Sequence, residues 1–258
     1  MSWNIQRAAR ELLAREDERR DGPPLTDEWP DLDLATAYAI QDETLALRLG
    51  RGETLIGVKL GLTSRAKQRR MNVDAPLTAW LTDAMILPAG ERVPRDRLIH
   101  PRAEPEIVLV LGRDLAGPGV SAATALCAVD RVLGGIEVID SRYADFRFTL
   151  PDVVADNASS GCFVTGPLAR GVDGFDLAAE SCVLRVDGTI HDTATGAAVQ
   201  GHPAEALALA ANDLGRRGHT LRGGWVVLTG GMTDAVDMGP GTTVSAGFGA
   251  LGHVTLGA

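Results

Sequence analysis

With 258 residues and 45% hydrophobic side chains, the chain can bury a substantial core in one large domain, or in one domain with a smaller appendage. Its 34 acids outnumber its 25 bases, giving a net charge of -9 with the signs interspersed, which argues against nucleic acid or an anionic membrane as the main partner. It has no run of 18 apolar residues and no signal-peptide pattern, and Cys127, Cys162 and Cys182 form no CxxC, so a reducing, cytoplasmic setting is expected.

Residues 4–20 place Ile5, Ala8, Ala9, Leu12 and Leu13 on one helical face. A proline-rich connection, DGPPLTDEWPDLD, follows; Asp33 then caps a second helix, which Gly50 ends. These helices predict a small N-terminal lobe over residues 1–52, ahead of a larger domain over residues 53–258. After Gly52, short apolar strands alternate with glycine-rich turns: TLIGVKLG, AMILP, EIVLVL and GIEVID, then CFVTG, VLRVDGTIHD, WVVLTGG, TTVSAGF and HVTL. VLRVDGTIHD reads as a hairpin turning at Asp187-Gly188. Helices are expected over 121–133, capped by Ser121, and over 203–216, with Pro203 in the first turn and Gly218 past the end. Many short strands with few helices point to a mixed sheet curled into a roll or barrel, not a doubly wound parallel sheet.

Most motif matches dissolve on inspection. GFGALG (247–252) is a literal GxGxxG, but only six residues follow it, so a glycine turn between strands is the better reading. The NAS at Asn157 matches a glycosylation sequon with no secretion signal to give it meaning. No two of the five histidines have ligand spacing; His202, before Pro203, suits a helix cap. Cys162 enters an apolar strand and suits a small buried hydrophobe. Only two lysines occur, Lys59 and Lys67, so Lys59 within the apolar GVKLG asks for a reason.

The acids are different. Glu104 and Glu106 open the strand EIVLVL two residues apart, so both point to one face. Glu137 sits inside GGIEVID among apolar neighbours. Like charges in such settings repel and resist desolvation. Each could be satisfied by one of the 23 arginines; a divalent cation would satisfy all three together. An oxygen-only set favours Mg²⁺ or Mn²⁺ over Zn²⁺ and leaves coordination positions open for water or substrate.

Taken together, GVKLGLTSRAKQRRMNV, HPRAEPEI, IEVIDSRYADFRF, VVADNASSGCFVTG, GHPAEALALAANDL and WVVLTGGMTDAV resemble the 2-oxo-acid hydratases and decarboxylases of aromatic meta-cleavage pathways, a family of the fumarylacetoacetate hydrolase superfamily. The likeness keeps its order from about residue 35 to 256. It implies an α+β fold with a mixed β-roll or barrel, a Mg²⁺ or Mn²⁺ ion on Glu104, Glu106 and Glu137, and Lys59 as the active-site lysine.

Two activities share that scaffold: water addition to a 2-hydroxydienoate, and loss of CO₂ from 4-oxalocrotonate (2-oxohex-3-enedioate). IDSRYADFRF and TGGMTDAV resemble the decarboxylase forms, and Leu77 stands where hydratases tend to carry an aspartate suited to activating water. Metal-dependent decarboxylation is therefore the expected activity, hydration the alternative. A non-catalytic subunit supporting a hydratase is the alternative of another class. Thr63, Ser64 and Ser160 are candidate hydrogen-bond donors to substrate, with helix capping as the structural reading of the first two and a similar one for Ser160. Arg142 is a candidate for the distal carboxylate, or else a partner of Asp140. The stretch from Arg65 to Trp80 is a candidate lid. A small 2-oxo dicarboxylate, a homo-oligomer and a complex with the pathway hydratase are the expected partners.

Overall fold

The computed structural model describes residues 3–64, 68–69, 76–174 and 176–258. Three helices come first: α1 (Ile5–Asp17), α2 (Leu25–Glu28) and α3 (Leu34–Gly50). Side chains satisfy open N–H groups at the helix starts: Asp33 accepts from Thr36 at 2.7 Å, as the sequence leads one to expect, and Asn4 from Arg7 at 2.9 Å. The helices bury Ala8, Ala9, Leu12, Ala37 and Ile40 in one cluster with Leu77, Tyr143 and Val154, so the N-terminal segment shares a core with the rest of the chain.

The remaining helices are α4 (Ala122–Leu126), α5 (Leu150–Ala155) and α6 (Pro203–Arg216). Among the described residues the larger sheet runs β2 (Leu77–Thr82), β1 (Leu55–Gly61), β8 (Val226–Leu228), β3 (Arg102–Leu111), β4 (Val129–Ile139) and β5 (Ser160–Thr165), with β9 (Val236–Asp237) paired to β3. Only β1 and β8 pair in parallel, so the sheet is mixed. A second, antiparallel sheet runs β11 (His253–Gly257), β10 (Thr243–Phe248), β6 (Ser181–Val186), β7 (Thr189–Thr195). Its inner residues Leu184, Val244, Ala246 and Leu256 pack with Ile107, Leu109, Val132 and Ile136 of the first sheet. The architecture is α+β, a curled mixed sheet behind a helical N-terminal part.

Helix α6 keeps its expected bounds, and His202 caps it: its Nδ1 accepts from Ala204 at 3.0 Å. Asp187 and Gly188 turn the β6–β7 hairpin with φ of 49° and 80°, as its tight reversal requires. GFGALG is the glycine turn between β10 and β11. Three expectations fail. The helix expected over 121–133 stops at Leu126, because Val129 and Val132 pair with Leu111 and Leu109 as strand β4. AMILP is a 3₁₀ turn at Asp83–Met85 followed by one bridge, Ile86 to Phe163. Residues 77–82 form a buried strand, where the sequence reading placed part of a lid; residues 65–67 and 70–75 of that candidate lid lie outside the described residues.

Candidate active site

Strand register builds the site. In the antiparallel pair β3–β4, Glu104 stands opposite Glu137, and Glu106 lies two residues farther along β3. Opposed residues share a face, so all three carboxylates project from one side of the sheet. One oxygen from each lies within 4.8 Å of the others. Lys59 reaches the same side: it pairs with Leu228 of β8, and Leu228 pairs with Val108, the next residue on that face after Glu106. Its Nζ lies 2.8 Å from Glu137 Oε1 and donates to the Ala158 carbonyl, also at 2.8 Å.

Glu106, Glu137 and Lys59 are each at most 2% exposed. Lys59 pairs with Glu137. Burial drives the Glu106 carboxyl well above the usual carboxylate range, and repulsion from Glu137 and Glu104 drives it further, against the Gly230 N–H and Lys59. Glu106 Oε1 and Glu137 Oε2 are buried without a hydrogen-bond partner among the described residues. Orphaned buried oxygens on converging carboxylates fit a hard divalent cation, which would accept both.

The segment after β8 closes around these acids. Gly230 donates its N–H to Glu106 Oε2 at 2.8 Å. Thr229 and Met232 donate to the carbonyls of Ile107 and Pro105, so Thr229–Met232 zips along β3. A Cβ on Gly230 would overlap the Thr63 side chain, and one on Gly231 would overlap Glu104 Oε2. Gly230 also needs its φ of 104°. Sequence reading noticed TGGMTDAV as a whole but assigned these glycines no part. Their signal was two glycines directly after a buried strand, a mark of close backbone approach.

Thr63 is buried against Gly230 and so lies beside the carboxylates. Ser64 is half-buried, and its carbonyl accepts from Gln68 at 2.9 Å. Leu77 stands opposite Gly61 on β1 and shares the face that carries Lys59. It is buried within the cluster formed with the N-terminal helices.

Two candidate substrate residues, Arg142 and Ser160, make hydrogen bonds within the protein. Arg142 binds Asp156 through Nε and donates to the carbonyls of Ser160 at 2.8 Å and Asp156 at 2.6 Å. Each of its guanidinium nitrogens is engaged inside the protein, which removes it from the substrate contacts. Its partner is Asp156, not Asp140; Asp140 accepts instead from the N–H groups of Ile99 and His100. Ser160 donates its hydroxyl to the Asn157 carbonyl at 2.7 Å and faces a small cavity lined by Leu12, Leu13 and Arg48, on the side of the N-terminal helices. A larger cavity of about 300 Å³ also borders Arg142, lined by Glu16, Arg48, Asp96, Arg97 and Asp140; none of the three glutamates lines it. Cys162 is buried as expected, and burial pushes its thiol up to about 12.

Comparison with known proteins agrees with this geometry. The family model for the fumarylacetoacetate (FAA) hydrolase C-terminal matches residues 54–256, and the chain belongs to that family. Within it, the chain is 40% identical over 235 residues to a 4-oxalocrotonate decarboxylase of Pseudomonas sp. (strain CF600), covering 91% of this chain and 89% of the relative. It is 41% identical over 202 residues to a 2-hydroxypent-2,4-dienoate hydratase of Pseudomonas putida, covering 78% and 91%. The solved 4-oxalocrotonate decarboxylase from Pseudomonas putida G7, complexed with magnesium and adipate, is similar in structure with a TM-score of 0.96 at 36% identity, covering 98% of this chain and 96% of that one. Among the described residues no helix is long and apolar enough to cross a membrane.

Proposed function

We propose that this chain is a metal-dependent carboxy-lyase that removes CO₂ from 4-oxalocrotonate (2-oxohex-3-enedioate) to give 2-hydroxypenta-2,4-dienoate. The observation that carries the reading is the group of Glu104, Glu106 and Glu137 beside Lys59, the last two acids buried, with two carboxylate oxygens that have no hydrogen-bond partner among the described residues. The relatives narrow the chemistry: a decarboxylase matches over 91% of this chain, and adipate is a six-carbon dicarboxylate, the length of the proposed substrate.

Glu104, Glu106 and Glu137 would hold Mg²⁺ or Mn²⁺, which when bound supplies a Lewis acid for the 2-oxo acid end of the substrate. The carboxylate to be lost lies beyond a conjugated double bond. As its C–C bond breaks, the electron pair moves along the chain to the 2-oxo oxygen, and proton uptake there yields the dienol. Lys59 has three N–H donors; two meet Glu137 and Ala158, and the third serves a substrate oxygen. Thr63 and Ser64 supply neutral donors at the site's edge. Leu77 contributes an apolar wall that disfavours bound water, which separates this reading from hydration.

The division at residues 52 and 53, a homo-oligomeric assembly, a complex with the hydratase that takes the product, and a cytoplasmic location complete the proposal. Hydration of 2-hydroxypenta-2,4-dienoate is the second reading, favoured by a hydratase relative of equal identity. Purified chain, Mg²⁺ and 2-oxohex-3-enedioate should release CO₂, and a chelator should stop the release. Efficient water addition to the dienoate with no CO₂ release would shift the assignment to the hydratase. Inactivity alone, with activation of an added hydratase, would leave a supporting subunit.

A further inference from the structure

Asn157, Ala158 and Ser159 occupy left-handed backbone in succession, with φ of 48°, 50° and 56°. None is glycine, and each Cβ there is crowded by the neighbouring carbonyl. Three such residues in a row persist only where the surroundings over-determine them. Here they do. The Asp156 carboxylate accepts from the Arg142 backbone N–H at 3.1 Å and from the Ser141 and Ser159 hydroxyls at 3.4 Å each. The Asn157 side chain clamps Trp80 of β2 from both ends: its Oδ1 accepts from the Trp80 N–H and its Nδ2 donates to the Trp80 carbonyl, each at 2.9 Å.

The product of this arrangement is a single carbonyl in the site, that of Ala158, 2.8 Å from Lys59 Nζ. A closed ring of contacts results. Lys59 on β1 pairs with Ala79 on β2; the next residue, Trp80, holds Asn157; and the turn that Asn157 begins returns to the Lys59 ammonium. Glu137 fixes a second direction on the same nitrogen.

We propose that Asn157 is a positioning residue: by clamping the left-handed turn to β2 it aims the Ala158 carbonyl at Lys59, and so sets where the remaining N–H of Lys59 points. This rests on the reading that Lys59 touches the substrate. A side chain that serves only folding would not act through that nitrogen.

The test uses the full chain with Mg²⁺ and 2-oxohex-3-enedioate. Asn157→Gly removes the clamp but adopts left-handed backbone freely, so it isolates the clamp from the strain. Its kcat should fall by up to about 10²-fold, the cost of a misplaced group, while KM and Mg²⁺ affinity measured by calorimetry hold within about 3-fold. In a Lys59→Met background the same change should cost nothing more, because both act through one interaction. An unchanged kcat in folded Asn157→Gly, a loss carried by KM or Mg²⁺ affinity, or an undiminished cost in the Lys59→Met background each overturns the proposal. Should Asn157→Gly not fold, Asn157→Ser, which can keep one of the two Trp80 bonds, is read by the same criteria with a smaller drop. Wild-type inactivity on this acid is the failure of the functional reading instead. Crystal structures then decide: Lys59 Nζ should leave the Ala158 carbonyl in the variant, and an unmoved Nζ defeats the positioning role.

Discussion

Arg142 with Asp156, and Lys59 with Glu104, Glu106 and Glu137, are two knots of buried charge joined by one turn of chain, residues 156–160. In the first, both ionic side chains have partners for their charged atoms. Burial works against the Arg142 charge, but Asp156, Glu16 and Asp140 more than offset it and hold the guanidinium above its ordinary value. In the second, Lys59 pairs with Glu137, and among the described residues Glu106 Oε1 and Glu137 Oε2 have no hydrogen-bond partner. Burial alone therefore does not separate function from structure, because both knots are buried. The balance of charge within each does. A closed pair holds backbone segments together, and an open cluster has room for a ligand of the missing sign.

The largest expected effect breaks the open cluster. Glu106→Gln removes one negative charge at nearly constant shape, and Mg²⁺-dependent turnover should fall by about 10³-fold or more, since the metal and its electrostatic stabilisation are weakened together. The same variant without metal should unfold at a higher temperature than wild type, because the cost of burying that carboxylate is removed and its repulsion from Glu137 and Glu104 is relieved. Lost activity with an unchanged or lowered metal-free melting point contradicts the account of an electrostatically frustrated cluster. The closed pair should respond in the opposite way. Arg142→Met strands a buried Asp156 and should cost about 3–5 kcal/mol in urea unfolding, while Mg²⁺ affinity stays near that of wild type. A large loss of Mg²⁺ affinity with stability intact would return Arg142 to the active site.

How much of this was legible in the sequence follows from how local each signal is. Glu104 and Glu106 announce themselves through a two-residue spacing in one strand. Glu137 needed only a second apolar strand to be noticed. The β3–β4 register that sets Glu104 against Glu137 is not written locally; the family resemblance grouped the three acids without giving that register. Arg142 was misread because an arginine's partner lies wherever the chain returns: Asp156 is 14 residues away, across helix α5. The bond from the Ser160 hydroxyl to Asn157 could not be read from the sequence, because the turn before it is left-handed and nothing in the letters DNAS announces three such residues. β2 was missed as a strand because LTAWLT is buried on both faces and so carries no alternation. Gly230 and Gly231 were visible as letters, but their reason was not: the neighbours that exclude a Cβ come from β3 and from the loop after β1.

Gly231 gives a subtler way to disturb the open cluster. Gly231→Ala should push the Glu104 carboxylate aside and weaken Mg²⁺ binding by about 10–100-fold, as loss of a ligand's support commonly does. The protein should still fold, because Glu104 is the least buried of the three acids and its side chain can yield. Calorimetric titration with Mg²⁺ checks this, and unchanged affinity would mean that Glu104 is not held by the Thr229–Met232 segment.

The gentlest probe of the contrast is pH. Burial, opposed by Arg142, raises the Asp156 carboxyl to about 6. Between the ordinary aspartate value of about 3.9 and that point, the folded chain keeps a proton that the unfolded chain has released, so this group's contribution to stability falls as pH rises and levels off above about 6. Saturating Mg²⁺ removes the glutamate cluster from the titration by keeping it ionised and neutralised, which leaves the closed pair to set the slope. In Arg142→Met the guanidinium no longer favours the ionised form of Asp156 and only the Arg142 backbone N–H and the Ser141 and Ser159 hydroxyls do, so the decline should continue past pH 6 instead of levelling. Urea unfolding with excess Mg²⁺ from pH 5 to 8, run on both proteins, tests the difference. Parallel curves for wild type and variant would mean that Arg142 does not hold the proton equilibrium of Asp156, and the distinction between a closed and an open knot of charge would lose its clearest physical sign.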